Sequence, residues 1–236
     1  MPLVQFPSTV WEDIENLKSE NAAVVKQAME SLLKRYEYPI EQYFKIRFRN
    51  HPLLKNEIDS IKNQTLADLS VGKGAEHLRS MTSESTPSFR AWLLKRIKWA
   101  AQSVERTLYA RQSSHIHGAA SLNELQANQD SIADEADTAY DRAFVESTLR
   151  EVDRRLKARC DHPQYFDILK PYVRSDSTVP YADLCAQTGL RKEQLYGIVH
   201  KFRELWKVLL REIVLETVGS PSEVERELLE LMRQCL

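Results

Sequence analysis

Between Tyr181 and Arg211 the chain sets Arg191, Lys192, Lys201, Arg203, Lys207 and Arg211 against Asp183, Glu193 and Glu204, a net +3, interleaved with Gln194, Tyr196 and His200. Arg, Lys, Gln and Tyr bond base edges and phosphates, so this stretch suits recognition of a polyanion. A second basic block lies between Ser88 and Gln112. There Arg90, Lys95, Arg96, Lys98, Arg106 and Arg111 face Glu105 alone, a net +5. Within it Trp92 and Trp99 are seven residues apart, on nearly the same face of a helix, with Lys95, Arg96 and Arg106 beside them. Aromatic rings flanked by cations stack on unpaired bases while neutralising phosphates. Packing of both indoles at the border of a core is the plainer account of the same residues.

Other reactive side chains do not assemble into a catalytic set. His115 and His117 form a His-x-His without a cysteine or carboxylate at ligand spacing, and Cys160-Asp161-His162 is too local to make a nucleophile dyad. No phosphate-binding glycine loop occurs. The three cysteines, Cys160, Cys185 and Cys235, are an odd number without short spacing, as in a reducing cytoplasm. The expectation is a protein that is not an enzyme, with no metal, no cofactor and no small-molecule substrate. With neither a leader nor a long apolar run, it is expected to be soluble and cytoplasmic, away from membranes.

The elements that position the basic blocks are helical. Gly is scarce at 6 among 236 residues, and apolar residues recur at steps of three and four, which predicts an all-α protein of two helical domains joined by an acidic linker. Ser8 is expected to cap a helix carrying Trp11, Ile14 and Leu17. A second stripe, Val24, Ala28, Leu32 and Tyr36, follows, and Pro39 is expected to start another helix through Tyr43, Phe44 and Ile46. Leu53 to Leu69 reads as a weaker helix, and Gly72 and Gly74 as part of a loop. Phe89, Leu93, Ile97, Ala100, Val104 and Leu108 form the core-facing stripe of a helix over 88–112, closing a domain over 8–112. Residues 113–137 carry five acidic residues, no Lys or Arg and no sustained periodicity, and read as a linker with at most a helical turn at Leu122 to Leu125.

A second domain is expected over 138–218, followed by an acidic helix over 219–236 that Ser220 and Glu223 open as a capping box. Inside it Tyr181 to Lys207 has helix-turn-helix spacing. A short helix supplies Leu184 and Cys185, Gly189 the turn, Leu190 a plug, and Leu195, Val199, Phe202 and Trp206 the buried stripe of the next helix. That stripe places Lys192, Tyr196, His200, Arg203 and Lys207 opposite, with Arg191 and Gln194 where such a helix enters the major groove. A helical hairpin with a solvated basic face fits the pattern too.

Tyr181-Ala-Asp-Leu-Cys-Ala-Gln-Thr-Gly-Leu190 with His200-Lys-Phe-Arg203 resembles the promoter −35 reader of sigma factors of the sigma-70 family, extracytoplasmic-function type. Ser88-Phe-Arg-Ala-Trp-Leu-Leu94 resembles the start of the helix that binds and melts the −10 element. Asp141-Arg-Ala-Phe-Val145 and Leu209-Leu-Arg-Glu-Ile-Val-Leu-Glu-Thr-Val218 are similar to a longer variety of the family. The resemblance implies double-stranded promoter DNA and core RNA polymerase as partners, with an anti-sigma regulator as a further one. It assigns Arg191, Lys192, Gln194, Tyr196, His200, Lys201, Arg203 and Lys207 to the −35 element. Arg90, Trp92, Lys95, Arg96, Trp99 and Arg106 fall to the −10 element, and Glu57, Asp59, Asn63 and Asp68 to the polymerase. The chain departs from the family at Ser60-Ile-Lys-Asn-Gln-Thr-Leu66, which lacks the acids and aromatic of the clamp-docking pattern, and at Glu204 and Leu205, where arginines are usual. A degenerate sigma-like interaction module and a plain helix-turn-helix repressor are the alternatives.

Overall fold

The computed structural model describes residues 10–86, 88–113, 122–174 and 180–233. They are all-helical: α1 (Val10–Asn16), α2 (Ala22–Arg47), α3 (Ile58–Ser70), α4 (Gly72–Ser80), α5 (Phe89–Ser113), α6 (Leu122–Arg159), α7 (Phe166–Val173), α8 (Tyr181–Thr188), α9 (Lys192–Leu215) and α10 (Val224–Arg233). Among the described residues there is no strand, only an isolated antiparallel bridge between Ser88 and Val218. None of the described helices is long and apolar enough to cross a membrane. Two compact units form, Met1–Val145 with Glu216–Leu236, and Glu146–Leu215. The division therefore falls within α6 and at the end of α9, away from the expected linker over 113–137. The residues from 216 onward complete the first unit instead of standing apart.

In the larger unit α2 buries Ala28, Leu32, Tyr36, Ile40, Tyr43 and Phe44 along one stripe. Pro39 lies inside this helix, where a new helix start was expected. Proline in a helix interior costs about 3 kcal/mol, whereas each large apolar side chain buried around it contributes roughly 1.5–3 kcal/mol, so continuity wins. From α5, Phe89, Leu93, Ile97 and Ala101 are buried, and the Phe89 ring lies 5.1 Å from that of Tyr36. The expected loop at Gly72 and Gly74 is instead the first turn of α4. A Cβ on Gly74 would overlap the Asp68 carbonyl, so the backbones of α3 and α4 meet there without a side chain between them.

The acidic residues before Thr138 are part of α6, not of an irregular linker. Glu135 accepts two hydrogen bonds from Arg49, Asp137 pairs with Lys98 at 2.6 Å, and Ala136 and Tyr140 are buried. The final segment is tied down by main-chain bonds. Val10 N–H donates to the Glu216 carbonyl (3.2 Å), Phe89 N–H to that of Thr217 (3.3 Å), and the Trp11 indole to that of Val218 (2.7 Å). The capping box expected at Ser220 does not form. Its hydroxyl pairs with Ser222, and a single 3-10 turn, Pro221–Glu223, leads into α10.

The smaller unit gathers Val152 and Leu156 of α6, Phe166, Leu169, Tyr172 and Val173 of α7, Leu184 of α8, and Leu195, Ile198, Val199, Phe202, Leu209 and Ile213 of α9 into one core. Arg155 of α6 is buried beside it and paired with Glu151 at 2.8 Å. Burial raises the Glu151 carboxyl, but hydrogen bonds from Arg154 and Arg155 outweigh it and hold it below the ordinary glutamate value. A lowered acid contributes stability above its unfolded value and loses it as pH falls through the folded one. Glu151→Gln is therefore expected to flatten the decline in urea stability between about pH 5 and pH 3. Identical acid slopes in both proteins would show that the pair contributes nothing.

Candidate nucleic-acid interface

Helix α8 has eight residues and ends at Gly189, whose φ of 69° is left-handed and whose N–H donates to the Cys185 carbonyl at 2.9 Å. A residue with a Cβ pays a steric penalty there, so glycine sets the sharp exit. Leu190 then packs on the core, and α9 opens two residues later. The Arg191 N–H donates to Gln194 Oε1 at 3.0 Å, which satisfies one of the free amides at the helix start.

The buried stripe of α9 includes Ile198 beside Leu195, Val199 and Phe202, while Trp206 is only half-buried. Glu193, Gly197, His200 and Glu204, at steps of four, three and four, run along the exposed side of α9 with Lys201 beside them. Sequence reasoning missed Glu193 and Gly197, which at about 100° per residue lie directly opposite Leu195, Val199 and Phe202, and named Lys192, Tyr196, Arg203 and Lys207, which flank that line.

The predicted contact residues separate accordingly. Arg191, Lys192, His200, Lys201 and Lys207 are exposed, with Lys201 3.5 Å from Asp161 and Lys207 2.8 Å from Glu204. Tyr196 stays 46% exposed but lies 4.4 Å from the Tyr181 ring, which in turn meets Tyr172 at 5.5 Å. The Lys192 ammonium lies over the Tyr196 ring at 5.7 Å from its centre. Arg203 is half-buried and donates twice to the Tyr172 carbonyl, at 3.0 and 2.6 Å. It closes the C-terminal end of α7 and is occupied there.

On α5, Lys95, Trp99 and Arg106 are exposed, Trp99 at 61%, with the Arg96 guanidinium 5.7 Å from its ring. Trp92 is half-buried, stacked on His77 at 5.5 Å and against Phe89 at 5.4 Å. Arg90 departs from its expected role: it is 5% exposed and held between Asp141 and Glu227, the latter at 2.6 Å. Its position directly after buried Phe89 turns it into the larger unit, so it leaves the candidate contact set.

On α3 and the residue before it, Glu57, Asp59, Asn63 and Asp68 are all exposed, and Ile61, Lys62, Thr65 and Leu69 are buried. Lys62 meets Glu37 (3.1 Å), Asp59 (3.6 Å) and Glu41 (3.7 Å). Burial lowers its ammonium, but the bond to Glu37 and the other acids more than restore it, to above the ordinary lysine value. Asp68 accepts from Gln64 at 2.7 Å. Cys160 is half-buried and burial pushes its thiol up, the wrong direction for a nucleophile. His115 and His117 lie outside the described residues, and among the described ones no three His, Cys, Asp or Glu side chains gather as a metal site.

Compared with known proteins, the chain matches no family model, no curated protein and no solved structure.

Proposed function

We propose that the chain is a sigma-type transcription initiation factor that binds core RNA polymerase and promoter DNA. The observation that carries this is the arrangement in the smaller unit. An eight-residue helix and a left-handed glycine lead into a 24-residue helix whose start and outer face bear Arg191, Lys192, His200 and Lys201. We take α8 and α9 as a helix-turn-helix whose second helix enters the major groove of the −35 element. In α5, Lys95, Arg96, Trp99 and Arg106 offer cations and one exposed ring to the unpaired −10 strand.

The main test mixes the purified chain with bacterial core polymerase and measures co-elution and promoter-dependent initiation. Failure to co-elute across cognate core enzymes sinks the proposal. One observation favours a second reading, a sigma-like module held by another protein. The exposed face of α3 offers only small and polar side chains, Asp59, Ser60, Asn63, Gln64, Ala67 and Asp68, with no aromatic to dock on a clamp.

Duplex binding separates the side chains of α9. Replacing Arg191 and Lys192 together by Ala is expected to weaken duplex affinity about 10–100-fold and to make the logarithmic salt slope shallower by about 2, near 0.9 per phosphate contact. Arg203→Ala is expected instead to lower stability by about 1.5–3 kcal/mol with the salt slope unchanged, since its guanidinium serves the α7 carboxyl end. An unchanged salt slope in the double variant would remove the start of α9 from the interface.

A further inference from the structure

Gly197 sits in the interior of α9, the position where glycine is least favourable to a helix. The other described glycines each have a backbone reason. Gly72 and Gly189 take a left-handed φ, and at Gly74 and Gly219 a Cβ would overlap a neighbouring carbonyl. At Gly197 a Cβ would meet nothing within 4 Å, and the residue is exposed. Nothing within the fold therefore calls for glycine here.

Its surroundings point outward. Gly197 lies in a groove of about 400 Å³ between α9 and the turn after α6, with Gln194 and Lys201 on its own helix and His162, Gln164 and Tyr165 across from it. The groove is lined by polar His162, Gln164, Tyr165, Gln194 and Lys201 and by apolar Leu190 and Ile198, with no carboxylate. Asp161, next in sequence to His162, faces Lys201 at 3.5 Å, and Glu193 lies one turn earlier on α9.

We infer that Gly197 is the point of closest approach between α9 and a DNA duplex, where the bare backbone lets a base edge or sugar–phosphate reach the helix between Gln194 and Lys201. The inference rests on the helix-turn-helix reading of α8 and α9. Charge complementarity favours nucleic acid as occupant, because the lining includes the Lys201 cation and the donors of His162, Gln164, Tyr165 and Gln194 and no acid, which suits phosphate and base acceptors. Glycine is the residue that permits such contact of backbone with ligand. Glu193 beside it is suited to accept from a base amine such as that of cytosine.

The test uses the full chain, alone and with bacterial core polymerase, and the duplex that the unaltered protein retains most tightly from a randomised pool. Gly197→Ala is expected to weaken binding of that duplex about 10-fold, and Gly197→Leu more than 100-fold, while both melt at or above the temperature of the unaltered protein. A Gly197→Leu protein that binds as tightly as the unaltered one overturns the inference and leaves the helix-turn-helix reading standing. Unchanged duplex binding with lost co-elution assigns the groove to a protein and likewise overturns it. If the unaltered chain retains no duplex in either form, both fall together.

Discussion

Arg90→Ala is expected to lower the stability of the larger unit by about 3–5 kcal/mol, because it leaves two buried carboxylates without their cation. For a unit of this size that corresponds to a fall in melting temperature of roughly 6–20 °C. Arg90 joins three parts of the chain, α5, α6 through Asp141 and α10 through Glu227. The guanidinium is held charged, the bond and charge of Glu227 outweighing the cost of burial. Burial also pushes the Asp141 carboxyl above the ordinary aspartate range, more than Arg90 holds it down. A raised acid favours the fold more as pH falls, so Asp141→Asn, which keeps an oxygen facing Arg90, is expected to cost less than Arg90→Ala. Thermal and urea melts of the two variants measure this. A loss under about 1 kcal/mol for Arg90→Ala would mean that the triad is not under tension from burial.

The second large effect is expected from ending the chain after Leu215. This removes the acceptors of Val10, Trp11 and Phe89, the Glu216 partner of Arg35 at 3.1 Å, and the Glu227 partner of Arg90. It also strips buried Val218, Val224 and Leu231. Three buried apolar side chains at roughly 1.5–3 kcal/mol each approach the whole stability of a domain, about 5–15 kcal/mol, before the stranded polar groups are considered. Hydrogen exchange should show α1 and the start of α5 losing protection while α9 keeps it. Native-like protection of α1 in the shortened chain would refute the structural role of the final segment.

What the sequence announced and what it hid follow from one distinction. Helices α5 and α9 are legible because their burial repeats at helical spacing, as Phe89, Leu93 and Ile97 or Leu195, Val199 and Phe202 do. The N-terminal part of α6 was not, because Asp134, Glu135 and Asp137 look like solvated linker until Arg49, in the turn after α2, and Lys98 of α5 are brought to two of them. Arg90 was misassigned for the same reason, since a run of cations gives no sign that one of them turns inward. Pro39 and Gly72 carry breaker signals that tertiary burial overrides. Within the candidate interface, exposed Lys192, His200 and Lys201 were anticipated, whereas the structural ties of Arg203 and Tyr196 depend on Tyr172 and Tyr181, brought together only by the fold.

The split of the larger unit into Met1–Val145 and Glu216–Leu236 has a consequence for biosynthesis. Domains ordinarily fold in the order in which they leave the ribosome, at about 5–20 residues per second. Here the first unit to begin emerging is the last one able to finish. Its amides at Val10 and Phe89, and Arg90 between its two acids, must wait for residues beyond 215, a delay of roughly 10–40 s for Val10 and roughly 6–27 s for Phe89 and Arg90 at those rates. The smaller unit, whose core is drawn wholly from Glu146–Leu215, is complete in the meantime. During that interval the nascent chain leaves the apolar faces of α1 and α5 without the partners that cover them in the finished fold.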